Sequence, residues 1–323
     1  MKLLVTGSAG YIGTFLIKRF LKERSIEKIV GIDLLAQPKA VSGKNLFWVQ
    51  HDLAQDGWQE KVLGYGPFDA VIHLAFKIRS PYGGEEKIKE NNLGASRNVF
   101  EFAFERKIPK LIYSSSVAAY GAKKGNIDKL LKESDRLEEK TSPYGYHKRL
   151  VEEMLQVLFA TARPKTHVDV VRLNSVTGPY GQSLKSKFIG LITFLKKILP
   201  FVIEANPAWA RQFIHERDVE EIFWQLLGRD ARPGQIDIYN AAPPSYLTAR
   251  DIAKLLGKRV LKFPSSLVRP SFWLAWNLTL GKMPTHPDSA AGLIYPINVD
   301  GSKLGEIGFR YRFGPGDALL GNI

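Results

Sequence analysis

The stretch Lys2-Leu3-Leu4-Val5-Thr6-Gly7-Ser8-Ala9-Gly10-Tyr11-Ile12-Gly13 decides the fold. Lys2–Thr6 is a short apolar run that reads as a buried strand, and from Tyr11 to Glu23 the residues Ile12, Phe15, Leu16 and Phe20 recur at helical spacing. Three glycines join the two. Gly7 makes the tight turn, Gly10 lets a ligand's phosphates approach the backbone, and Gly13 lets helix and strand pack closely. Such a turn aims backbone amides and a helix N-terminus at a pyrophosphate. The spacing is G-x-x-G-x-x-G, and its place between strand and helix makes it specific. Asp33 stands 20 residues after Gly13, at the end of the next strand candidate. A carboxylate there accepts the adenosine ribose hydroxyls and repels a 2′-phosphate, so the expected cofactor is NAD rather than NADP.

Outward from this turn the first half alternates short β-rich runs with longer amphipathic segments, the pattern of βαβ units. Strands are expected at Lys2–Thr6, Ile29–Asp33, Leu46–Asp52, Ala70–Ala75, Lys110–Ser115 and Val168–Leu173, with helices near Tyr11–Glu23, Glu86–Arg106 and Tyr144–Ala162. The fold class is therefore α/β, a Rossmann-type doubly wound parallel sheet. Beyond about Gly178 the rhythm breaks into a Lys-punctuated helix at Leu184–Leu199, a strand around Phe213, helices near Asp218–Leu227 and Thr248–Leu256, and several Pro/Gly turns. The expected division is an NAD-binding domain over 1–177 and a smaller C-terminal α+β substrate-binding lobe over 178–323, with segments around 211–227 returning to the first domain.

Bulk properties agree with an ordinary folded protein. The chain has 323 residues, 45% hydrophobic and 24% charged, which argues against disordered, collagen-like and coiled-coil readings. It has no cysteine, which excludes disulfides, thiolate metal sites and a Cys nucleophile or acid/base. No metal is expected. The start lacks a basic region followed by a long apolar stretch, so a cytoplasmic location is the default. Leu267–Leu280 is the most apolar late segment, but Arg269, Pro270 and Asn277 interrupt it and it is too short to span a bilayer. It reads as small-lobe core, a lid or dimer element, or a shallow membrane contact, without stable membrane insertion. A formal net charge of +14 attracts anions. Because the Lys and Arg residues are spread along the chain, the expected partners are small phosphorylated ligands and not nucleic acid, the alternative being a solvated basic surface. A homodimer is the expected assembly.

Further motifs carry a family likeness: His51-Asp52-Leu53, His73-Leu74-Ala75, Asn91-Asn92-Leu93-Gly94, Tyr113-Ser114-Ser115-Ser116-Val117-Ala118-Ala119-Tyr120-Gly121 and Ser142-Pro143-Tyr144-Gly145-Tyr146-His147-Lys148. With the Gly-rich turn, these resemble the extended short-chain dehydrogenase/reductases, the group of sugar-nucleotide epimerases and dehydratases and of 3β-hydroxysteroid dehydrogenases. The resemblance covers essentially the whole chain, dense to Gly178 and thinner afterwards. It implies that NAD lies on Gly7, Gly10, Tyr11, Ile12 and Gly13, with Asp33 at the ribose, Asp52 and Leu53 at adenine, and Leu74, Ala75 and Ser114 along the cofactor. It also implies that Asn91 supports active-site backbone and that Ser116 hydrogen-bonds the reacting oxygen.

Tyr144 and Lys148 are one helical turn apart and share a face. A phenol with a free pKa near ~10 is a poor base at neutral pH, and a neighbouring ammonium together with the charged nicotinamide favours its phenolate. Tyr144 then serves as a proton shuttle while Lys148 also holds the nicotinamide ribose. His147 between them reads as a solvated helix residue, the alternative being a substrate contact.

The resemblance also narrows the reaction. Dehydratases of this group carry an acid pair after the catalytic Thr, where this chain has Val117 and Ala118, and its members that move protons next to a ketone use a Cys, which is absent. Two reactions survive: 4-epimerisation of a nucleotide sugar, and net oxidation or reduction of an apolar alcohol or ketone, as in a hydroxysteroid dehydrogenase. Arg211-Gln212-Phe213-Ile214-His215-Glu216-Arg217-Asp218 resembles a segment whose arginine reaches a nucleotide diphosphate, and its forked donors suit phosphate oxygens. Against it, Ser175 stands where sugar-nucleotide enzymes usually have Asn, with Asn174 one place earlier, and no late arginine of the nucleotide site is evident near Thr285–Asp288. The nucleotide sugar is favoured, with Lys77, Ser116, Asn174, Ser175 and Arg211 as its contacts. A non-catalytic sensor of the same fold is the third reading, and the retention of Ser116, Tyr144 and Lys148 argues against it.

Overall fold

The computed structural model describes residues 1–183, 199–283 and 285–321. Seven parallel strands form the central sheet: β1 (Lys2–Thr6), β2 (Lys28–Asp33), β3 (Leu46–Gln50), β4 (Ala70–His73), β5 (Lys110–Ser116), β6 (His167–Leu173) and β7 (Ile236–Ala241). Their spatial order is β7-β6-β5-β4-β1-β2-β3, so the winding reverses between β1 and β4. In sheets wound this way the ligand crevice lies at the carboxyl ends of the strands flanking the reversal.

Alternation along β1 explains the two layers. Leu3 and Val5 face one side with Phe15, Leu16 and Phe20 of helix α1 (Tyr11–Phe20), whereas Leu4 faces the other with Val71, Phe100, Leu111 and Val151. Strands covered on both faces read as continuous apolar runs, which is why most were visible in the sequence. Helices α2 (Glu85–Glu105) and α3 (Pro143–Ala162) cover the second face, and α4 (Glu216–Gly228) packs Val219, Ile222 and Phe223 beside α1 on the first. Each fully buried side chain of this kind is worth roughly 1.5–3 kcal/mol.

The expected strands and helices of the first half are present, with ends shifted by a few residues. The seventh strand was not read from the sequence. In Ile236-Asp237-Ile238-Tyr239-Asn240-Ala241 polar residues interrupt the run, and Asp237 meets His167, Arg229 and Arg232 at the sheet edge instead of a second apolar layer. The helix expected at Leu184–Leu199 falls on 184–198, outside the described residues.

Smaller paired strands build the rest: Ser175–Thr177 with Phe213–His215, Ala210–Arg211 with Leu247–Thr248, and Phe201–Glu204 with Arg259–Lys262. The Ala249–Leu255 helix starts from a reciprocal cap between Thr248 and Asp251. A last long helix, α5, spans Ser265–Leu278.

Candidate active site

The glycine turn is closed by contacts that admit no larger side chain. Gly7 adopts φ +68°, and a Cβ there would lie 2.5 Å from the Ala75 nitrogen; a Cβ on Gly13 would lie 2.3 Å from the Gly7 oxygen. Asp33 finishes the turn, its carboxylate accepting the N–H of Ala9 at 2.9 Å and of Leu35 at 3.0 Å. A cleft runs above these residues at the reversal of the sheet, lined by Gly7, Gly10, Asp33, Asp52, Leu53, Leu74, Ala75, Lys77 and Asn91. Glycines that bring backbone close, with an acid at the end of β2, fit a dinucleotide with free ribose hydroxyls. Tyr11 and Ile12 have only backbone to offer it. The Tyr11 hydroxyl donates to Glu216 at 2.7 Å, burial and that carboxylate hold it far above its ordinary range, and Ile12 packs on the core.

Tyr144 occupies the first turn of α3, behind Pro143. Gly145 lets that turn sit against the end of β5, where a Cβ would be 2.5 Å from the Ala118 oxygen. This approach brings Tyr144 to Ser116, the last residue of β5, whose own Oγ accepts the Ala118 N–H at 3.2 Å and donates to Leu173 O at 3.3 Å. Burial raises the Tyr144 hydroxyl above its usual value, and a hydrogen bond with Ser116 draws it partly back. Lys148 is buried one turn further along. Its Nζ donates to Ser114 O at 2.6 Å and lies 3.7 Å from the centroid of the Phe76 ring, which also meets the Tyr144 ring edge-on at 5.8 Å. Burial brings Lys148 down to about 7, with Glu152 pulling it back up. Ser116, Tyr144 and Lys148 are thus together, and Phe76, whose ring meets both Tyr144 and Lys148, lines the cleft.

Three expectations are corrected. Asn91 lines the cleft, but the backbone support comes from Asn92, whose amide accepts the Lys77 N–H at 2.8 Å and donates to Lys77 O at 3.0 Å. The helix turns Asn92 inward and its neighbour outward. His147 is buried and not solvated, with Nδ1 3.4 Å from the Asn92 amide nitrogen, and burial lowers its pKa. Asn174 does not open onto the site: its amide donates to Gln212 at 3.2 Å and accepts the Ser175 N–H at 2.7 Å. Ser175 and Arg211 do come together, Arg211 Nε donating to Ser175 Oγ at 2.9 Å from a solvent-exposed position.

Residues the sequence reading missed lie behind the site. Glu152 follows Lys148 by four residues on the same helix face, a spacing that could have flagged it. Its carboxylate takes Arg172 Nε at 3.1 Å to both oxygens and Nη2 at 2.8 Å, and also the Ser115 hydroxyl. Arg172 Nη1 donates to Tyr120 at 2.6 Å and to Glu133 O at 3.2 Å. His73 stands buried beneath the cleft between Thr6 Oγ1 at 2.7 Å and Ser96 Oγ at 3.0 Å, and burial, reinforced by Lys148, lowers it to about 3.

A dinucleotide turn at the switch point of a parallel sheet, with Ser116, Tyr144 and Lys148 gathered beside it, defines a nicotinamide-dinucleotide-dependent enzyme of the extended short-chain dehydrogenase/reductase class. Residues 3–242 match the model of the NAD dependent epimerase/dehydratase family, and the chain belongs to that family, whose cofactor is NAD. Curated relatives include the dTDP-D-glucose 4,6-dehydratases of Dictyostelium discoideum, 26% identical over 78% of this chain and 61% of its own length, and of Homo sapiens, 26% identical over 79% and 73%. The match spans less than two thirds of the Dictyostelium protein. Solved structures with the same fold include the UDP-glucose 4-epimerases of Thermotoga maritima with UDP-glucose (TM-score 0.74, 17% identical, 99% of this chain and 97% of that one) and of Bifidobacterium longum with NAD+ and UDP (TM-score 0.73, 19% identical, 98% and 96%).

Proposed function

We propose that this enzyme epimerises a nucleotide sugar at C4, with Tyr144 moving the hydroxyl proton, Ser116 holding the reacting oxygen and Lys148 holding the nicotinamide ribose. The observation that carries this is the Ser116–Tyr144 pair beside the cleft, followed by Val117 and Ala118 with no carboxylate. Held on the glycine turn, NAD would supply a reversible hydride acceptor for the sugar carbon, so the reaction would have no net oxidation. Tyr144 takes the hydroxyl proton as the carbonyl forms and gives it back afterwards; Ser116 donates to that oxygen throughout. Eliminating water needs a further acid/base, which neither Val117 nor Ala118 supplies, so the reading departs from the dehydratases among the curated relatives.

Arg211, exposed beside Ser175, supplies a cation for the diphosphate, and the substrate lobe in this reading is 178–323 apart from α4 and β7, which belong to the sheet. For compartment and assembly the reading is a cytoplasmic homodimer; no described helix is long and apolar enough to cross a membrane, and homodimers are the commonest oligomers. The test is incubation with UDP- and dTDP-hexoses, separation of products by chromatography, and absorbance at the NADH band. The C4 epimer should form without accumulating NADH. Arg211→Ala should lower kcat/KM roughly 10- to 150-fold, the equivalent of a charge-assisted contact of about 1.5–3 kcal/mol, and leave NAD affinity unchanged. A 4-keto-6-deoxy product, or steady NADH from an apolar alcohol with nucleotide sugars ignored, would overturn the reading.

A further inference from the structure

We propose that helix α5 docks the protein on an anionic lipid surface. Of its side chains only Val268 and Trp276 are buried, which fixes the inward side. Leu267, Leu274 and Leu278, spaced by seven and four, fall on one stripe opposite it and are 49%, 52% and 76% exposed, with Trp273 at 57% and Leu280 at 65% beside them. Single exposed leucines are ordinary; this many on one helix form a patch that marks an interaction surface. The turn before α2 extends it, through exposed Ile78 and Tyr82, whose hydroxyl donates to Asn277 at 2.6 Å.

Charge chooses the occupant. Between Asp251 and Asp288 every charged residue is a cation: Lys254, Lys258, Arg259, Lys262, Arg269 and Lys282. Arg259 and Lys262 are exposed on the strand that leads directly into α5. A second copy meeting this face through a two-fold axis would set cations against cations on a chain that already carries +14. Arg269 is paired with Asp288, but the apolar stripe of α5, preceded in the chain by the exposed cations Arg259 and Lys262, suits a helix lying in the plane of an anionic bilayer. Its 14 residues rise about 21 Å, short of the ~30 Å hydrocarbon core, so it rests on the surface without crossing it. The helix is tied to the rim of the candidate site: Trp276 contacts His286, and Ser289 Oγ lies 3.3 Å from Ser142 Oγ, two residues before Tyr144. Surface binding therefore holds the mouth of the cleft near the lipid headgroups. The inference does not depend on which sugar, or which reaction, the enzyme serves.

The test is co-sedimentation of the full chain with phosphatidylcholine vesicles, with and without phosphatidylglycerol, at low and high salt. Binding should require phosphatidylglycerol and fall with salt. The Trp273→Glu/Leu274→Glu/Leu278→Glu variant, and separately Lys258→Glu/Arg259→Glu/Lys262→Glu, should each bind at least about tenfold more weakly while melting like the wild type. Should the first variant misfold, Leu278→Glu alone, at the most exposed position, should still show a partial loss. A wild type that ignores phosphatidylglycerol at low salt, or variants that sediment with vesicles as the wild type does, would overturn the proposal. So would a face whose variants turn a dimer into a monomer in analytical ultracentrifugation and leave vesicle binding intact.

Discussion

Replacing Glu152 by Gln keeps the shape of the side chain and removes one buried charge, which makes it the sharpest probe of what stands behind Lys148. In the native protein the Arg172 guanidinium is buried and forked onto Glu152 at 2.8–3.1 Å. Removing one partner of a buried pair costs about 3–5 kcal/mol, because the other charge is left uncompensated. Arg172 keeps two neutral acceptors, Tyr120 and the Glu133 carbonyl, so the lower end applies, about 3 kcal/mol. At the scaling of domains somewhat smaller than this one, that is a drop in Tm of about 6 °C or more. The second consequence is electrostatic. Burial holds Lys148 near 7 and Glu152 opposes that descent, so without the carboxylate Lys148 falls further. A fall of one unit would take the charged fraction at pH 7 from about one half to about one tenth. The limb of the pH–rate profile that reports loss of the Lys148 proton should therefore move to lower pH. A double variant, Glu152→Leu with Arg172→Met, removes both charges and should recover most of the stability, since buried pairs are replaceable by apolar residues. It should retain the displaced pH limb, which a merely structural role would not move. Thermal melts and pH–rate profiles of the three proteins decide the matter: Glu152→Gln melting and titrating like the wild type would refute the reasoning.

Tyr144→Phe should keep the ring against Phe76 and leave folding and NAD binding intact, while single-turnover rates fall by ~10²–10⁴; a rate within a few-fold of wild type would move the proton to another residue. Asp33 faces the cleft, so titration should show NAD binding more tightly than NADP, with Asp33→Ser narrowing the gap; because the carboxylate also accepts the Ala9 and Leu35 amides, the variant should lose some NAD affinity too. His73 is buried neutral, with a folded pKa of about 3 below an unfolded value near 6.5. Its contribution to stability is fully present above pH 6.5 and is lost as the pH falls toward about 3, a span worth about 5 kcal/mol. His73→Gln should flatten the difference in denaturant midpoint between neutral and acid pH, and an unchanged slope would count against it.

What the sequence disclosed and what it hid divide along physical lines. β1, β2, β4, β5 and β6 were legible because burial on both faces demands long apolar runs, the edge strand β3 through its apolar Leu46-Phe47-Trp48-Val49 run, and the Gly7–Gly13 turn because steric limits force glycine at fixed spacing. β7 was hidden because its Asp237 is satisfied at the sheet edge by Arg229 and Arg232 just before it and by His167 from β6, polar contacts that no apolar pattern announces. The same distinction runs through the site. Tyr144 and Lys148 share a helix and carry a local signature. Which of Asn91 and Asn92 holds the Lys77 backbone depends on the rotation of α2 about its axis, and the burial of His147 depends on how α3 lies against α2; both are tertiary facts. Asn174 shows the converse, a polar residue in a suggestive place whose hydrogen bonds are consumed by Gln212.

These hidden contacts change how the visible residues work. Burial on its own pushes Tyr144 and Lys148 toward their neutral forms, since a low-dielectric site penalises both phenolate and ammonium. The charge on Lys148 is opposed by burial and supported by Glu152, which Arg172 in turn holds in place from β6. In the proposed mechanism, proton transfer at Tyr144 would accordingly depend on a chain of contacts that starts on a strand bearing none of the proposed reacting groups. Ser116 lies at the other end of that chain, through Ser115 and the same carboxylate. A bound oxidised nicotinamide would supply a further positive charge that favours the phenolate. In the proposed mechanism Tyr144 would thus stay a phenol in the empty cleft, since burial raises its pKa, and would become a usable base only with cationic support from Lys148 and a bound cofactor.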